Sequence, residues 1–153
     1  MKQSAGILLY KTVNKSLAIF LVHPGGPFWK NKDEGAWSIP KGEFTEEEKA
    51  QDAARREFKE ETGTDITGNF IELTPVKLKS GKKVYAWAVE GDIDVTAMKC
   101  ETFIEIEWPP KTGKYQSFAE VDRGEWFTAD HAKKKINSSQ AALINELISK
   151  VIA

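Results

Sequence analysis

The chain has 153 residues, 41% of them apolar, which suits one domain, residues 1–153, built around a single core. Its 22 basic and 23 acidic side chains leave a net charge of -1, so there is no global basic field to hold long nucleic acid or a membrane surface. The single cysteine, Cys100, excludes an internal disulfide framework, and with neither a signal peptide nor a membrane-length apolar run the expected location is cytoplasmic.

Residues 4–10 and 17–23 are apolar runs rich in strand formers, and Asn14-Lys15 between them suits the turn of a hairpin. His23-Pro24-Gly25-Gly26-Pro27 then breaks regular structure, leaving Phe28 and Trp29 in a polar loop that ends near Gly35. Two aromatic rings in such a loop either stack on a nucleobase or cover an edge of the core. His23, one histidine at a strand end, is more often structural than catalytic. Residues 36–39 read as a short strand, and Pro40-Lys41-Gly42 as the turn that delivers the chain into the next helix.

That helix is expected to begin at Thr45, with Glu48 three residues on completing a capping box, and to stop at Gly63. At 100° per residue, Glu57, Glu60 and Glu61 fall on the same face as Ala50, Ala53 and Ala54. Small apolar residues mark the face that lies close against the rest of a molecule. Carboxylates there are under stress, since two charges about 4 Å apart repel by roughly 4 kcal/mol at an effective dielectric near 20. A solvated acidic face is one reading; a hard divalent cation such as Mg²⁺ or Mn²⁺, which takes oxygen ligands, is the other.

Beyond the helix, residues 69–78 and 83–90 flank Ser80-Gly81 as a second hairpin in the central sheet. Residues 103–108 alternate apolar with acidic, placing Glu105 and Glu107 on the polar side of a strand that Pro109-Pro110 ends. Residues 113–124 read as a flexible loop before a short strand at 125–127, with Thr128 capping a helix. Lys133-Lys134-Lys135 point three ways on that helix and read as a solvated face. Leu143, Ile144, Leu147, Ile148 and Val151 form the apolar stripe of a last helix over residues 139–152.

In order, Gly42, Glu48 and Arg56-Glu57-Phe58-Lys59-Glu60-Glu61-Thr62-Gly63 resemble the signature of the Nudix hydrolases, with Thr64 standing where the pattern has an aliphatic residue. The resemblance implies an α/β/α sandwich with a central mixed sheet. It also implies a hydrolase that uses Mg²⁺ or Mn²⁺ to cleave a phosphoanhydride in a small-molecule nucleotide. Carried over to this chain, Glu57 and Glu61 become metal ligands, with Glu60 as a further one. A Lys41 or Gly42 carbonyl joins the shell, the Lys41 ammonium faces phosphate, and Arg56 and Glu48 orient the ligands. In the mutator-type nucleoside triphosphate hydrolases an extra Glu lies six residues before a Trp that starts a late strand; Glu120 precedes Trp126 in this way, with Glu105 and Glu107 in reserve. ADP-sugar hydrolysis and nucleotide sensing without cleavage remain rivals, although a sensing domain can lose the signature carboxylates and this chain keeps them all.

Overall fold

The computed structural model describes residues 2–152. β1 (Gln3–Val13) and β2 (Ser16–Pro24) form the expected hairpin, turning at Asn14 and Lys15 with φ of 50° and 67°. Positive φ at both residues gives a tight turn whose twist matches that of the strands. β1 also pairs in parallel with β6 (Lys83–Glu90), and β2 pairs with β9 (Val121–Thr128). β4 (Phe70–Glu72) and β5 (Val76–Lys77) line the outer edge of β6. With β3 (Lys41–Phe44) these make a seven-stranded mixed sheet.

The edge of β1 that meets β2 is shared. Its last four residues, Tyr10 to Val13, pair with β2, whereas its first four, Gln3 to Gly6, pair with β3. The sheet therefore forks along β1. β1 also separates two cores: Ala5, Ile7 and Leu9 cluster with Ala53, Ala54 and Phe58 of α1 (Ala50–Thr62), while Leu8 and Tyr10 cluster with Leu143, Ile144 and Leu147 of α3 (Ala141–Ile152). A strand covered on both faces needs apolar residues at every position, which accounts for the unbroken Ile7-Leu8-Leu9-Tyr10 run. The layers are helix, sheet, helix, and each large side chain buried between them contributes roughly 1.5–3 kcal/mol.

Several boundaries differ from the sequence reading. The acidic helix begins at Ala50, not Thr45, and its cap residue Lys49 makes no side-chain bond. No capping box forms because the Glu48 carboxylate is taken by Arg56 instead, at 2.9 Å to each of two guanidinium nitrogens. Residues 36–39 make only isolated bridges, Ser38 to Val22 and Trp37 to Ile136, and the strand lies at Lys41–Phe44, where a turn was expected. The expected 69–78 strand splits into β4 and β5, with Pro75 between them, which has no N–H to pair. Residues 113–124 are not a flexible loop. They contain β8 (Tyr115–Ala119), which pairs with β7 (Phe103–Glu107) as a separate two-stranded ribbon, and the start of β9. Thr128 does cap α2 (Ala129–Lys135), accepting from the His131 N–H, and a single 3-10 turn at Ser138–Gln140 leads into α3.

Candidate active site

α1 brings its acids into the interior because the same face carries the alanines that seat it on the sheet. Ala53, Ala54 and Phe58 are fully buried, and Glu57 and Glu61, one turn apart, are only 8% and 4% exposed. Gly63 ends the helix in the left-handed conformation at φ 82°, its N–H donating to the Lys59 carbonyl at 2.7 Å. Across from α1, Gly42 on β3 lies against Glu57, and a Cβ there would collide with the Glu57 carboxylate. Only glycine lets this strand pass so close.

Arg56 ties the acids together. Its guanidinium grips Glu48 through two nitrogens, donates to Glu57 at 2.8 Å, and reaches both oxygens of Glu60 at 3.2 and 3.3 Å. A planar fork satisfies three carboxylates at once, as no lysine can. These bonds, Glu48 foremost, raise the Arg56 pKa further above its ordinary high value. Burial drives the Glu57 carboxyl above the usual range despite Arg56, and drives Glu61 well above it, reinforced by the Glu57 charge and opposed by Lys41. Glu120, just before β9, is raised first by burial and then by Glu60, again with Lys41 opposing. Lys41 itself is shifted down by burial, with Glu61 as its largest counterweight. Four acids and one lysine thus feel one another across a single partly dehydrated cleft.

That cleft has three connected parts, and Lys41 borders each. A cavity of about 180 Å³ runs between Val22, Ser38, Ile39, Glu61 and Glu120. A more polar one of about 400 Å³ is walled by Gly42, Glu57, Glu60, Glu120, Ser4 and Lys82. The third, about 560 Å³, lies between Trp29, Ser38, Leu78, Asn137 and Gln140. The structure therefore gathers Gly42, Glu57, Glu60, Glu61, Glu120 and Lys41 in one place, with Arg56 and Glu48 behind them and Trp29 at the far side.

Phe28 is not brought in. It is exposed and meets the Trp108 ring edge-on at 5.6 Å, away from the three cavities. Glu105 and Glu107 lie on the outer ribbon, where Glu107 accepts from the Lys111 and Gly113 backbone, so neither reserve enters the cleft. His23 is fully buried, with Nε2 donating to the Lys32 carbonyl at 2.7 Å and Nδ1 3.0 Å from Asp122, a structural tie beneath the loop that carries Trp29. Sequence reasoning missed Ser4, Glu43 and Lys82 as cleft residues. Ser4 carried no signal, whereas Glu43 and Lys82 are placed by β3 and the β5–β6 turn, whose pairing spacing alone does not reveal.

The NUDIX domain profile matches residues 2–147. The chain belongs to this family. No curated protein matches it, but many solved structures do. The NUDIX domain of Shewanella oneidensis NrtR, solved with ADP ribose, superposes with a TM-score of 0.67 at 17% identity, covering 97% of this chain and 87% of that one. A C. elegans Ap4A hydrolase gives 0.66 at 16%, covering 97% and 98%, and a MutT protein from Methanosarcina mazei gives 0.62 at 16%, covering 97% and 94%. At these identities the likeness is one of fold; family membership gives the chain the class of Nudix pyrophosphohydrolases.

Among the described residues, no three acidic, histidine or cysteine side chains are drawn together tightly enough to hold an ion as they stand. Arg56 supplies the positive charge that Glu57 and Glu60 need. The donor set nevertheless suits a hard divalent cation: every donor is oxygen, three of the carboxyls are raised by burial and by neighbouring carboxylates, and Gly42 keeps the approach clear.

Proposed function

We propose that this Nudix protein is a metal-dependent hydrolase of a phosphoanhydride bond in a nucleoside diphosphate-linked substrate, of the nucleoside triphosphate or dinucleoside polyphosphate class. The observation that carries this reading is the convergence of Glu57, Glu61 and Glu120 on one cleft against the side-chain-free face of Gly42. Glu57, Glu60 and Glu61, with Glu120 and the Gly42 carbonyl, are the groups that would hold Mg²⁺ or Mn²⁺. When bound, such an ion neutralises charge on phosphate oxygens and lowers the pKa of water.

The chain's own residues supply the rest. Arg56 and Glu48 fix the rotamers of Glu57 and Glu60, so the donors are set before substrate arrives. Glu120, with its raised pKa and its place on both the inner cavity and the polar cleft, is suited to take a proton from the attacking water. Lys41 faces the phosphates from the junction of the three cavities, and Trp29 offers an aromatic face for the base or leaving group.

The test is turnover of nucleoside triphosphates, dinucleoside polyphosphates and ADP-ribose with Mg²⁺ or Mn²⁺, products separated by ion-exchange chromatography. Hydrolysis that disappears on chelation, and falls by orders of magnitude in folded Glu57→Gln and Glu61→Gln, is the expected result. Nucleotide binding without turnover would overturn it in favour of a sensing domain, and metal binding with no nucleotide turned over or bound in favour of a metal-stabilised structural protein.

A further inference from the structure

Residues 77–83, Lys-Leu-Lys-Ser-Gly-Lys-Lys, place four lysines and no acid in seven residues of a chain whose net charge is -1. The β5–β6 turn holds them in a fixed arrangement: Leu78 N–H donates to the Lys82 carbonyl at 2.9 Å, and Gly81, at φ 92°, donates back to Leu78 at 2.9 Å. Lys77 and Lys83 stand directly opposite each other across the two strands. Like charges in that position destabilise a ladder. Among the described residues Lys77, Lys79 and Lys83 take part in no ion pair, and Glu43, the acid that Lys82 engages at 2.9 Å, is shared with Lys2 at 3.9 Å.

Lys2, Lys77, Ser80, Gly81 and Lys82 line a cavity of about 360 Å³. Lys82 also forms part of the wall of the polar cleft beside Glu57 and Glu60, while Lys79 and Ser80 border the cavity that holds Trp29. The lysine cavity is thus a neighbour of the acidic cleft, joined to it by one side chain. We propose that it is a second anion site, which takes a phosphoryl group lying beyond the diphosphate at the carboxylates. This rests on the reading of the acidic cleft as the place where the anhydride is cleaved, and assigns a place in the fold to a substrate phosphate beyond the diphosphate. That phosphate belongs either to a longer polyphosphate chain or to a phosphate ester on the nucleoside.

Calorimetric titration of the metal-free protein with inorganic tripolyphosphate, and with pyrophosphate for comparison, tests the site apart from catalysis. Lys77→Ala/Lys82→Ala is expected to weaken tripolyphosphate binding about tenfold, or about 1.4 kcal/mol, whereas Lys133→Ala/Lys134→Ala, which removes equal charge from α2, leaves it within about twofold. Equal losses in the two variants, or no loss in the first, overturn the proposal. Kinetics then separate the sources: diadenosine tetraphosphate against ADP-ribose differ in chain length, and NADPH against NADH in one phosphate ester. The wild type is expected to favour the phosphate-richer member of one pair, and Lys77→Ala/Lys82→Ala to reduce that kcat/KM ratio about tenfold. A wild type that hydrolyses both pairs with no such preference refutes the site. Failure to hydrolyse any substrate refutes the proposed activity instead and leaves the titration to decide the site.

Discussion

Glu61 is held where a carboxylate is least at home, 4% exposed, one helical turn from Glu57 and facing Glu120 across the cleft. Its pKa in the folded state lies well above the ordinary value, so between the two the folded protein keeps a proton that the unfolded chain has released. Stability therefore rises as pH falls through that window and is diminished above it. Glu61→Gln is expected to raise the Tm of the metal-free protein near neutral pH, with the gain shrinking as pH drops into the usual carboxylate range; an unchanged or lowered Tm at neutral pH would show that Lys41 already offsets the charge. Kinetic signatures separate the other residues. Trp29→Ala is expected to raise KM about tenfold with kcat little changed, the mark of lost uniform binding, whereas Glu120→Gln should lower kcat with KM little altered. The reverse pattern in steady-state assays would exchange their roles. At this scale Glu57, Glu60 and Glu61 were legible because helical periodicity places them on the alanine face. Phe28 was not, since nothing in its neighbours foretells the Trp108 ring that it meets.

The five residues between the expected and observed starts of α1 show how a local rule yields to a stronger partner. Thr45 and Glu48 have capping-box spacing, but that exchange is worth about 1 kcal/mol, and a two-nitrogen contact with Arg56 outbids it. Residues 45–49 consequently form a turn ahead of the helix, closed by the Glu48 N–H donating to the Thr45 carbonyl at 3.1 Å. Arg56→Lys keeps the charge but loses the fork, and is expected to lower kcat by about 10–100-fold, with the circular dichroism spectrum intact, because Glu48, Glu57 and Glu60 lose their common anchor. Wild-type turnover in that variant would show that the anchor is dispensable. Where a cap had no competitor the sequence read true: Thr128 caps α2, and Thr128→Ala is expected to cost about 1 kcal/mol in urea denaturation. β7 was legible as a strand at residues 103–108, but its partner β8 was not, because residues 115–119, Tyr-Gln-Ser-Phe-Ala, show no clean alternation and lie largely exposed; pairing with β7 makes them a strand.

For the molecule as a whole, helix, sheet and helix were legible because β1 and β2 are apolar enough to be covered on both faces and two amphipathic helices are present to cover them. A cation that binds only the folded acids stabilises the whole fold: at a hundred times its Kd the gain is about 2.7 kcal/mol. For a chain of this size that is a Tm rise of about 5–10 °C, measurable by calorimetry on adding Mg²⁺ or Mn²⁺ and expected to vanish in Glu57→Gln/Glu61→Gln. A rise retained in that variant would put the ion elsewhere. The fork in the sheet has a consequence of its own. β3, which carries Gly42, is fastened to the first half of β1, and β2, from which the Trp29 loop departs, to the second half; β2 and β3 are not paired with each other. A change of length between Gly25, whose N–H is tied to the Glu120 carbonyl, and Lys32, whose carbonyl is tied to His23, is therefore expected to leave the register that holds Gly42 against Glu57 in place, so that the Trp29 loop can be remodelled apart from the acidic cleft.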